Sequence, residues 1–551
     1  MKRDVDRLSN KIYDLLVIGG GIYGSTVAWD AASRGLSVAL LDKGDFGGKT
    51  SSNSQKIIHG GLRYIQHGDI SRMRESIRER VNMMRIAPHL VHPMPCLIPT
   101  YGRFMRYAMF LAMNIYDILS LDIKNLKDPQ KHIPRGKIIS KEECLRMVPG
   151  IKKEELTGGV IWYDAQVYNT ERMVLSYIQS AEKAGADVAN YVEVVGFLKN
   201  GSRIEGVKTR DSLDGTEREV RAKIVLNASG PWVDQVLDLV ETHDCRILLS
   251  KMMILVVDRQ FAKNYAFGIP FKTKYKDDDA IVNKNYRFLF ITPWRGYSLV
   301  GAMQQLYCGS PDYYKVNEDD IQNFIEEVNN ALPYASLTRK DVSFYYGGLL
   351  PIDKVNPDGD IKVTKRYKIL DHEVEGINGL ISIVGVKYTT ARDVASKVTD
   401  LIFKKLEKKP PKCTTMETQI HGGEIVEFND FIENAIENRP HELSEDIIRH
   451  LVYNYGSEYI NILKYIDENP ILGQRITDNS YVIKGEILHG IREEMAQKLS
   501  DVVLRRTELG TAGHPGEECL KTCADIMAKE LGWNKVKIQE ELKDVRKIYA
   551  V

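Results

Sequence analysis

The chain has 551 residues, more than one hydrophobic core usually serves, so two or three domains are expected. Its 76 Lys and Arg residues balance 75 Asp and Glu residues, which excludes a global positive field for binding nucleic acid. The seven cysteines include no CxxC pair. This spacing argues against a structural zinc and for a reducing compartment, and we expect no bound metal.

The sequence pattern also predicts neither a secretory signal nor a transmembrane helix. The first fourteen residues, MKRDVDRLSNKIYD, contain no apolar core of the secretory type. The longest apolar run, residues 107–121, is interrupted by Asn114 and Asp117 and is too short to span a bilayer. We therefore expect a cytoplasmic protein, with residues 103–121 as the candidate for peripheral contact with the inner membrane face.

The first predicted elements form a β-α-β unit. Residues 13–18 are a continuous apolar strand, residues 25–34 predict a helix rich in small side chains, and residues 36–41 predict the next strand. Between the first strand and the helix lies GGGIYG, residues 19–24, which has the G-x-G-x-x-G spacing. The context of strand, glycines, helix and strand predicts a dinucleotide site.

Each glycine of this motif has a physical reason. Gly19 permits the tight turn, Gly21 lets a pyrophosphate approach the backbone at the positive end of the helix, and Gly24 allows close helix packing. Asp42, at the end of the second strand, would hold a ribose hydroxyl. This unit alone leaves NAD and FAD open.

Strands that follow in the chain favour FAD. Thr170 is predicted as the N-cap of a helix to Ala184, and two strands then meet at an Asn200-Gly201 hairpin turn. A further strand ends at Gly230. A β-meander followed by a strand that runs into a small-residue turn is typical of flavoproteins with two dinucleotide folds.

A different pattern begins at residue 246. Strands are predicted at residues 252–257, 288–292 and 297–302, with one helix at residues 318–331, which indicates an antiparallel sheet suited to covering a site. A buried strand at 379–384 precedes a helix through residue 409. The Lys- and Pro-rich segment 404–412 is a plausible linker, and the chain beyond it is predicted to be helical.

The predicted fold class is therefore α/β: a two-dinucleotide-fold FAD-binding domain, an antiparallel-sheet substrate domain and an all-helical C-terminal domain. We assign residues 1–100, 160–245 and 345–409 to the first, 101–159 and 246–344 to the second, and 413–551 to the third.

At this point the sequence resembles a known family, the FAD-dependent glycerol-3-phosphate dehydrogenases and oxidases. The resemblance rests on motifs that occur in the same order along nearly the whole chain: TSSNSQKIIHGGLRY (50–64), RIAPHLVHPMP (85–95), WYDAQ (162–166), NASGPWVD (227–234), TPWRG (292–296), KYTTAR (387–392) and REEMAQKLSDVVLRRT (492–507). It implies oxidation of sn-glycerol 3-phosphate to dihydroxyacetone phosphate by hydride transfer to FAD. The implied partners are the alcohol substrate and an electron acceptor, either a quinone or oxygen.

The resemblance also implies roles for individual residues. The implied cofactor-binding positions, beyond the glycines and Asp42, are Lys43, Thr50, Ser51, Ser52, Lys56, Ile57, Val194, Ala228, Gly230, Gly385 and Thr389. The implied catalytic positions are His59, Arg63 and Lys387, and the substrate-binding positions are Tyr64, Arg287 and Lys365.

The chemistry of these side chains suits those roles. Oxidation of a secondary alcohol needs a base near neutral pKa beside the reacting carbon, and His59 is the best candidate; a structural histidine is the alternative. Arg63 offers a planar fork to an anion, or else forms a surface ion pair. Lys387 could polarise a hydroxyl or stabilise the reduced flavin. Thr389 and Thr390 begin the next helix, whose N-terminus can stabilise charge on the flavin, or they act only as N-caps.

Three departures from the family pattern concern the substrate and the ribose. Leu350 replaces an arginine that helps to hold the phosphate, and Lys365 replaces a second arginine, keeping the charge without the fork. Asp42 stands where relatives more often have glutamate. Arg287, Arg295 or Arg366 could compensate, although Arg366 should face the other side of its strand from Lys365.

Two alternative functions therefore stay open: a same-fold dehydrogenase of another polyol or 2-hydroxy acid, and a non-catalytic flavin-binding interaction protein. Oligomeric state is not predicted.

Overall fold

A computed structural model of the chain describes residues 1–120, 126–240, 246–272, 286–355, 361–364, 366–385 and 387–551. The side chains of residues 63, 66, 271, 272, 286, 287 and 363 lie outside this description. Of the predicted site residues, Lys365 therefore lies outside the described residues, as do the side chains of Arg63 and Arg287.

The strands of the described residues, in chain order, are β1 (Ile12–Ile18), β2 (Val38–Leu41), β3 (Ile57–Ile58), β4 (Val91–Tyr101), β5 (Lys137–Ile139), β6 (Leu156–Val167), β7 (Asp187–Ala189), β8 (Val192–Asn200), β9 (Arg203–Asp211), β10 (Glu217–Asn227), β11 (Leu248–Val257), β12 (Ala266–Lys272), β13 (Tyr286–Trp294), β14 (Tyr297–Tyr307), β15 (Val342–Val355), β16 (Ile361–Val363), β17 (Lys368–Asp371) and β18 (Leu380–Val384). The helices are α1 (Ile22–Ser33), α2 (Ile70–Ile86), α3 (Arg103–Leu119), α4 (Lys141–Met147), α5 (Thr170–Lys183), α6 (Val233–Asp238), α7 (Glu318–Ala331), α8 (Ala391–Lys405), α9 (Phe428–Glu437), α10 (Glu445–Tyr455), α11 (Tyr459–Glu468), α12 (Lys484–Glu494), α13 (Leu499–Asp501), α14 (Glu517–Leu531) and α15 (Lys535–Tyr549).

The first sheet has the order β17-β18-β10-β1-β2-β7, with the hairpin of β8 and β9 attached to β10. Strands β18, β10, β1, β2 and β7 run parallel to one another. The apolar residues of β1 are buried on both faces after Ile12, as a central parallel strand requires. Ligands bind such sheets beyond the carboxyl ends of the strands, so this edge is where a site is expected.

The second sheet has the order β16-β15-β11-β14-β13-β12-β4-β6-β3, and β5 also pairs with β6. Its pairs are antiparallel except for β12 with β4. The predicted strands of the substrate domain and the helix at residues 318–331 are confirmed. β3, β4, β6 and β15 also pair here, although they lie wholly or partly in segments assigned above to the FAD-binding domain. The division into domains stays a prediction, but hydrogen bonding joins its two sheet-containing parts more closely than the sequence pattern implied.

Several predicted boundaries were wrong by a few residues. Helix α1 begins at Ile22 rather than at residue 25, because the carbonyl of Gly21 already accepts the first helical hydrogen bond, from Ser25 N at 2.9 Å. Thr170 is the first residue of α5, and Asn169 takes the N-cap position. Helix α8 begins at Ala391, with Thr390 at the N-cap position but no side-chain capping bond, and ends at Lys405 rather than residue 409.

From α9 onwards the described elements are helices, including a π-helical turn at Val502–Arg506, so the predicted fold class is confirmed. Within the described ranges, no helix combines the length and apolar character that crossing a membrane would require.

Candidate active site

A cavity of about 1450 Å³ is lined by residues of both sheets and of the C-terminal helices. Three parallel strands end at it, since Gly19, Ala228 and Gly385 directly follow β1, β10 and β18 and line its wall. The predicted site residues in its wall are Gly19, Gly21, Asp42, Lys43, Thr50, Ser51, Ser52, Lys56, Ile57, His59, Tyr64, Val194, Ala228, Gly230, Gly385, Lys387 and Thr389. These residues therefore share one cavity wall, and their individual roles stay predictions.

The glycine turn has the shape that its motif predicts. Gly19 has a φ of +102°, and a Cβ there would lie 2.7 Å from the carbonyl oxygen of Ala228. A Cβ at Gly24 would lie 1.8 Å from the carbonyl oxygen of Gly19, so Gly24 serves helix packing and does not line the cavity. Gly21 caps α1, and the Ile22 N–H donates to the Ser51 hydroxyl at 3.0 Å. The helix N-terminus thus faces the cavity with little bulk in front of it, as a pyrophosphate needs.

Asp42 is held by the backbone of its own turn. It accepts hydrogen bonds from Gly20 N at 2.7 Å and Gly44 N at 2.8 Å. Burial, outweighing these two bonds, raises the pKa of Asp42 above its usual range. A carboxylate has room for further donors, so Asp42 can still bind a ribose hydroxyl.

Lys56 has a buried partner that the sequence did not reveal. Its ammonium donates to both carboxylate oxygens of Glu171, at 3.0 and 3.1 Å, and to the Thr170 hydroxyl. Burial lowers the pKa of Lys56, against the opposing effect of Glu171. Lys56 and Glu171 both line the cavity, and they bring an ion pair rather than a lone positive charge to it.

His59 is paired with an aspartate from the neighbouring strand. Its ring Nδ1 lies 3.0 Å from Oδ2 of Asp164, on β6, and the ring is 55% exposed while Asp164 is buried. The other oxygen of Asp164 accepts from Gly60 N at 2.7 Å and from Arg80 at 3.4 Å. Burial raises the pKa of Asp164, but His59, Arg80 and Gly60 together hold it below its ordinary value. Asp164 and Arg80 were missed in the sequence analysis, although Asp164 lies in the WYDAQ motif.

Tyr64 and Lys387 meet on the same side of the cavity as Gly385. The Lys387 ammonium lies 4.3 Å from the centre of the Tyr64 ring. The backbone of Lys387 is fixed by Tyr23, whose hydroxyl donates to Lys387 O at 2.8 Å and accepts from Lys387 N at 3.1 Å. A 3-10 helix at Leu62–His67 carries Arg63 next to Tyr64. Lys387 is thus held at the end of β18, as predicted.

Of the three arginines proposed to compensate for Leu350, Arg295 and Arg366 form ion pairs away from the cavity, and the side chain of Arg287 lies outside the described residues. Leu350 lines the cavity. Arg295 is paired with Glu508 at 3.1 Å and bonds Thr511, and Arg366 is paired with Asp69 at 3.2 Å. Neither Arg295 nor Arg366 lines the cavity. Arg287 lies on β13, opposite Phe271.

Comparisons with known proteins identify the family of this chain. A family model described as FAD dependent oxidoreductase matches residues 14–386, and one described as the C-terminal domain of alpha-glycerophosphate oxidase matches residues 413–538. A glycerol-3-phosphate dehydrogenase of Synechocystis sp. is 34% identical over 98% of this chain and 97% of its own length. The mitochondrial glycerol-3-phosphate dehydrogenase of Homo sapiens is 30% identical over 97% of this chain and 73% of its own length.

A solved structure is similar over the same extent. The glycerol-3-phosphate dehydrogenase from Bacillus halodurans, complexed with FAD, has a TM-score of 0.77 at 25% identity and covers 99% of this chain and 96% of its own. The fold and the glycine turn define the class of FAD-dependent oxidoreductases, and the cavity fits that cofactor. Within this class, the chain belongs to the FAD-dependent glycerol-3-phosphate dehydrogenase family.

Proposed function

We propose that the protein oxidises the secondary hydroxyl of sn-glycerol 3-phosphate and releases dihydroxyacetone phosphate. The observation that carries the proposal is an imidazole held by a buried carboxylate, in a cavity shared with the FAD-binding turn. FAD, when bound, supplies the hydride acceptor for such an oxidation. Family membership supports the substrate.

In this proposal His59 removes the hydroxyl proton. In the neutral tautomer whose Nδ1–H donates to the Asp164 carboxylate, the lone pair lies on Nε2, and Nε2 acts as the base. Asp164 positions the ring and compensates the positive charge that the ring gains. The Lys387 ammonium stabilises negative charge that develops on the substrate oxygen or on the reduced cofactor. Arg63 and Tyr64 bind the substrate, and Thr50, Ser51 and Ser52 hold the cofactor.

Anaerobic mixing of the yellow holoenzyme with glycerol 3-phosphate tests this directly. Bleaching of the flavin absorbance and formation of dihydroxyacetone phosphate are expected. A colourless protein would contradict the proposal of a flavoenzyme, and a bound flavin that no alcohol bleaches would instead support a non-catalytic flavin-binding protein. Reoxidation of the bleached enzyme by a quinone analogue or by oxygen then identifies the acceptor.

Leu350 favours a second candidate substrate class. An apolar side chain lines the cavity where the family has a phosphate-binding arginine. A polyol or 2-hydroxy acid without a phosphate would not need that arginine. Bleaching rates for glycerol, a short 2-hydroxy acid and glycerol 3-phosphate separate the two candidates.

We also propose that α3 rests on the inner membrane face of a cytoplasmic protein. Along this helix Phe104, Tyr107, Leu111 and Ile118 are 73%, 72%, 61% and 65% exposed. Arg103 precedes this apolar surface and Arg106 lies between Phe104 and Tyr107, and their positive charge suits anionic headgroups. Co-sedimentation with anionic vesicles tests it. Phe104→Ser with Leu111→Ser should abolish binding, whereas Tyr313→Ser, which removes an 81% exposed ring elsewhere, should not.

A further inference from the structure

The C-terminal helical region reaches into the wall of the cofactor cavity. Lys498, Ser500, Leu504 and Arg505 line it together with the glycine turn. Lys498 is the N-cap of α13, Ser500 lies in α13, and Leu504 and Arg505 lie in the π-helical turn Val502–Arg506. We call residues 498–506 the retention segment. A π turn in a helix often accompanies a functional site.

The retention segment forms ion pairs with the carboxylate of Asp45, which lies in the loop that follows Asp42. Arg506 donates to both oxygens of Asp45, at 2.7 and 2.8 Å, and each of these side chains is 1% exposed. Arg505 also donates to Asp45 through Nε, and Asn190 donates to it at 3.0 Å. Such a bidentate buried pair fixes orientation as well as distance.

The loop held in this way is part of the dinucleotide site. Residues 42–48 line the cavity except for Phe46, and Gly47 N donates to Gly20 O at 3.0 Å, which ties the loop to the glycine turn. Asp42, at its start, accepts from Gly20 N. Fixing Asp45 therefore also fixes the backbone of the glycine turn, which faces the cofactor.

A second contact joins the retention segment to Tyr191. The hydroxyl of Tyr191, which lines the cavity just before β8, donates to Asp501 at 2.6 Å. Arg505 donates to the same carboxylate at 2.6 Å, and Tyr191 N donates to Gly44 O at 2.9 Å. The retention segment thus joins the loop and the start of β8 into one rigid wall.

We propose that the retention segment keeps FAD bound by fixing the loop of residues 42–48 against the glycine turn. The C-terminal region is then a component of the cofactor site, acting through residues that lie more than 450 positions away from Asp45 in the chain. Asp45, Arg505 and Arg506 are positioning residues. The inference depends on FAD binding and not on the identity of the substrate. If glycerol 3-phosphate does not bleach the flavin, the proposed substrate is wrong but this inference is unaffected.

The experiment measures FAD release from purified holoenzyme by the fluorescence of free flavin, and FAD affinity by titration of the apoprotein. Asp45→Asn and Arg506→Met should each raise the dissociation constant for FAD by at least about tenfold, because each breaks the buried bidentate ion pair that fixes the loop. Thermal unfolding and circular dichroism show whether each variant is folded.

His450→Gln is the matched control. His450 pairs with Glu486 at 2.9 Å and with Glu508 at 3.0 Å, all three side chains are buried in the C-terminal region outside the retention segment, and none of them lines the cavity. This variant should lose thermal stability while its FAD dissociation constant stays within about twofold of wild type, the scatter expected of independent sites.

Tyr191→Phe keeps the test decisive if the charge variants do not fold. It removes one hydroxyl and should speed FAD release by roughly threefold to tenfold. The proposal is overturned if folded Asp45→Asn, Arg506→Met or Tyr191→Phe holds FAD as wild type does. It is equally overturned if His450→Gln releases FAD as fast as Arg506→Met, since the effect would then be general destabilisation of the C-terminal region.

Discussion

Asp164 contacts both the ring of His59 and the backbone that follows it: Oδ2 lies 3.0 Å from His59 Nδ1, and Oδ1 accepts from Gly60 N at 2.7 Å. One carboxylate therefore fixes the ring and the glycine pair together. Because Asp164 is buried and keeps a depressed pKa, it remains an anion at neutral pH.

Asp164→Asn should lower kcat by roughly tenfold to a hundredfold, as loss of a partner that orients a functional histidine does in metal sites. His59→Ala should cost roughly 10²–10⁴-fold, the usual contribution of a general base. Rapid-reaction measurement of flavin bleaching gives both values. The double variant should be no slower than His59→Ala alone, because Asp164 acts through the ring. Independent, additive losses would contradict this pairing, and unchanged flavin absorbance spectra serve as the control for cofactor content.

Leu350→Arg should restore a charge-assisted contact to the substrate phosphate. Leu350 lines the cavity on β15, and such a contact contributes about 1.5–3 kcal/mol, which corresponds to roughly tenfold or more in KM for glycerol 3-phosphate. Steady-state assays of glycerol 3-phosphate against glycerol check it. Leu350→Met is the control for a long side chain without charge. If Leu350→Arg leaves the preference between the two substrates unchanged, position 350 does not face the phosphate.

The spacing of residues in the sequence predicted those parts of the site whose residues lie close together along the chain. The glycines and Asp42 lie within one β-α-β unit, so spacing alone locates them. Asp164 is 105 residues from His59, and Glu171 is 115 from Lys56, and no periodicity reports which strand or helix will meet which side chain. Arg506 and Asp45, 461 positions apart, are the extreme case. A quoted motif could have suggested Asp164, since WYDAQ places one acid in a strand. Nothing in the sequence pattern singled out Glu171.

Lys131 should make the protein more stable as the pH rises. Its ammonium donates to Pro88 O at 2.7 Å, Val91 O at 2.9 Å and His92 Nδ1 at 2.8 Å. Burial lowers the pKa of Lys131 from 10.5 to about 7, against the opposing charge of Asp128. Between these values the unfolded chain binds the extra proton, so this group adds about 1.4 kcal/mol of stability per pH unit. The thermal midpoint of wild type should therefore rise with pH relative to the midpoint of Lys131→Met, in which the titrating amine is absent. The variant should be less stable overall. An identical pH dependence in both proteins would show that Lys131 is not neutralised on folding.

His450 should make the protein less stable as the pH rises. Its ring lies between two buried carboxylates, with Nε2 2.9 Å from Glu486 and Nδ1 3.0 Å from Glu508. Burial alone lowers the pKa of His450, but the two carboxylates outweigh it and raise the pKa from 6.5 to about 10. The stabilisation is therefore complete below pH 6.5 and is lost as the pH rises towards about 10, at about 1.4 kcal/mol per pH unit. His450→Gln should be much less stable than wild type at acidic pH, and the gap in thermal midpoint should narrow steadily as the solution is made alkaline. Lys131→Met provides the comparison, because its gap must change in the other direction over nearly the same range. A gap for His450→Gln that does not change with pH would mean that the ring is not an imidazolium between these carboxylates.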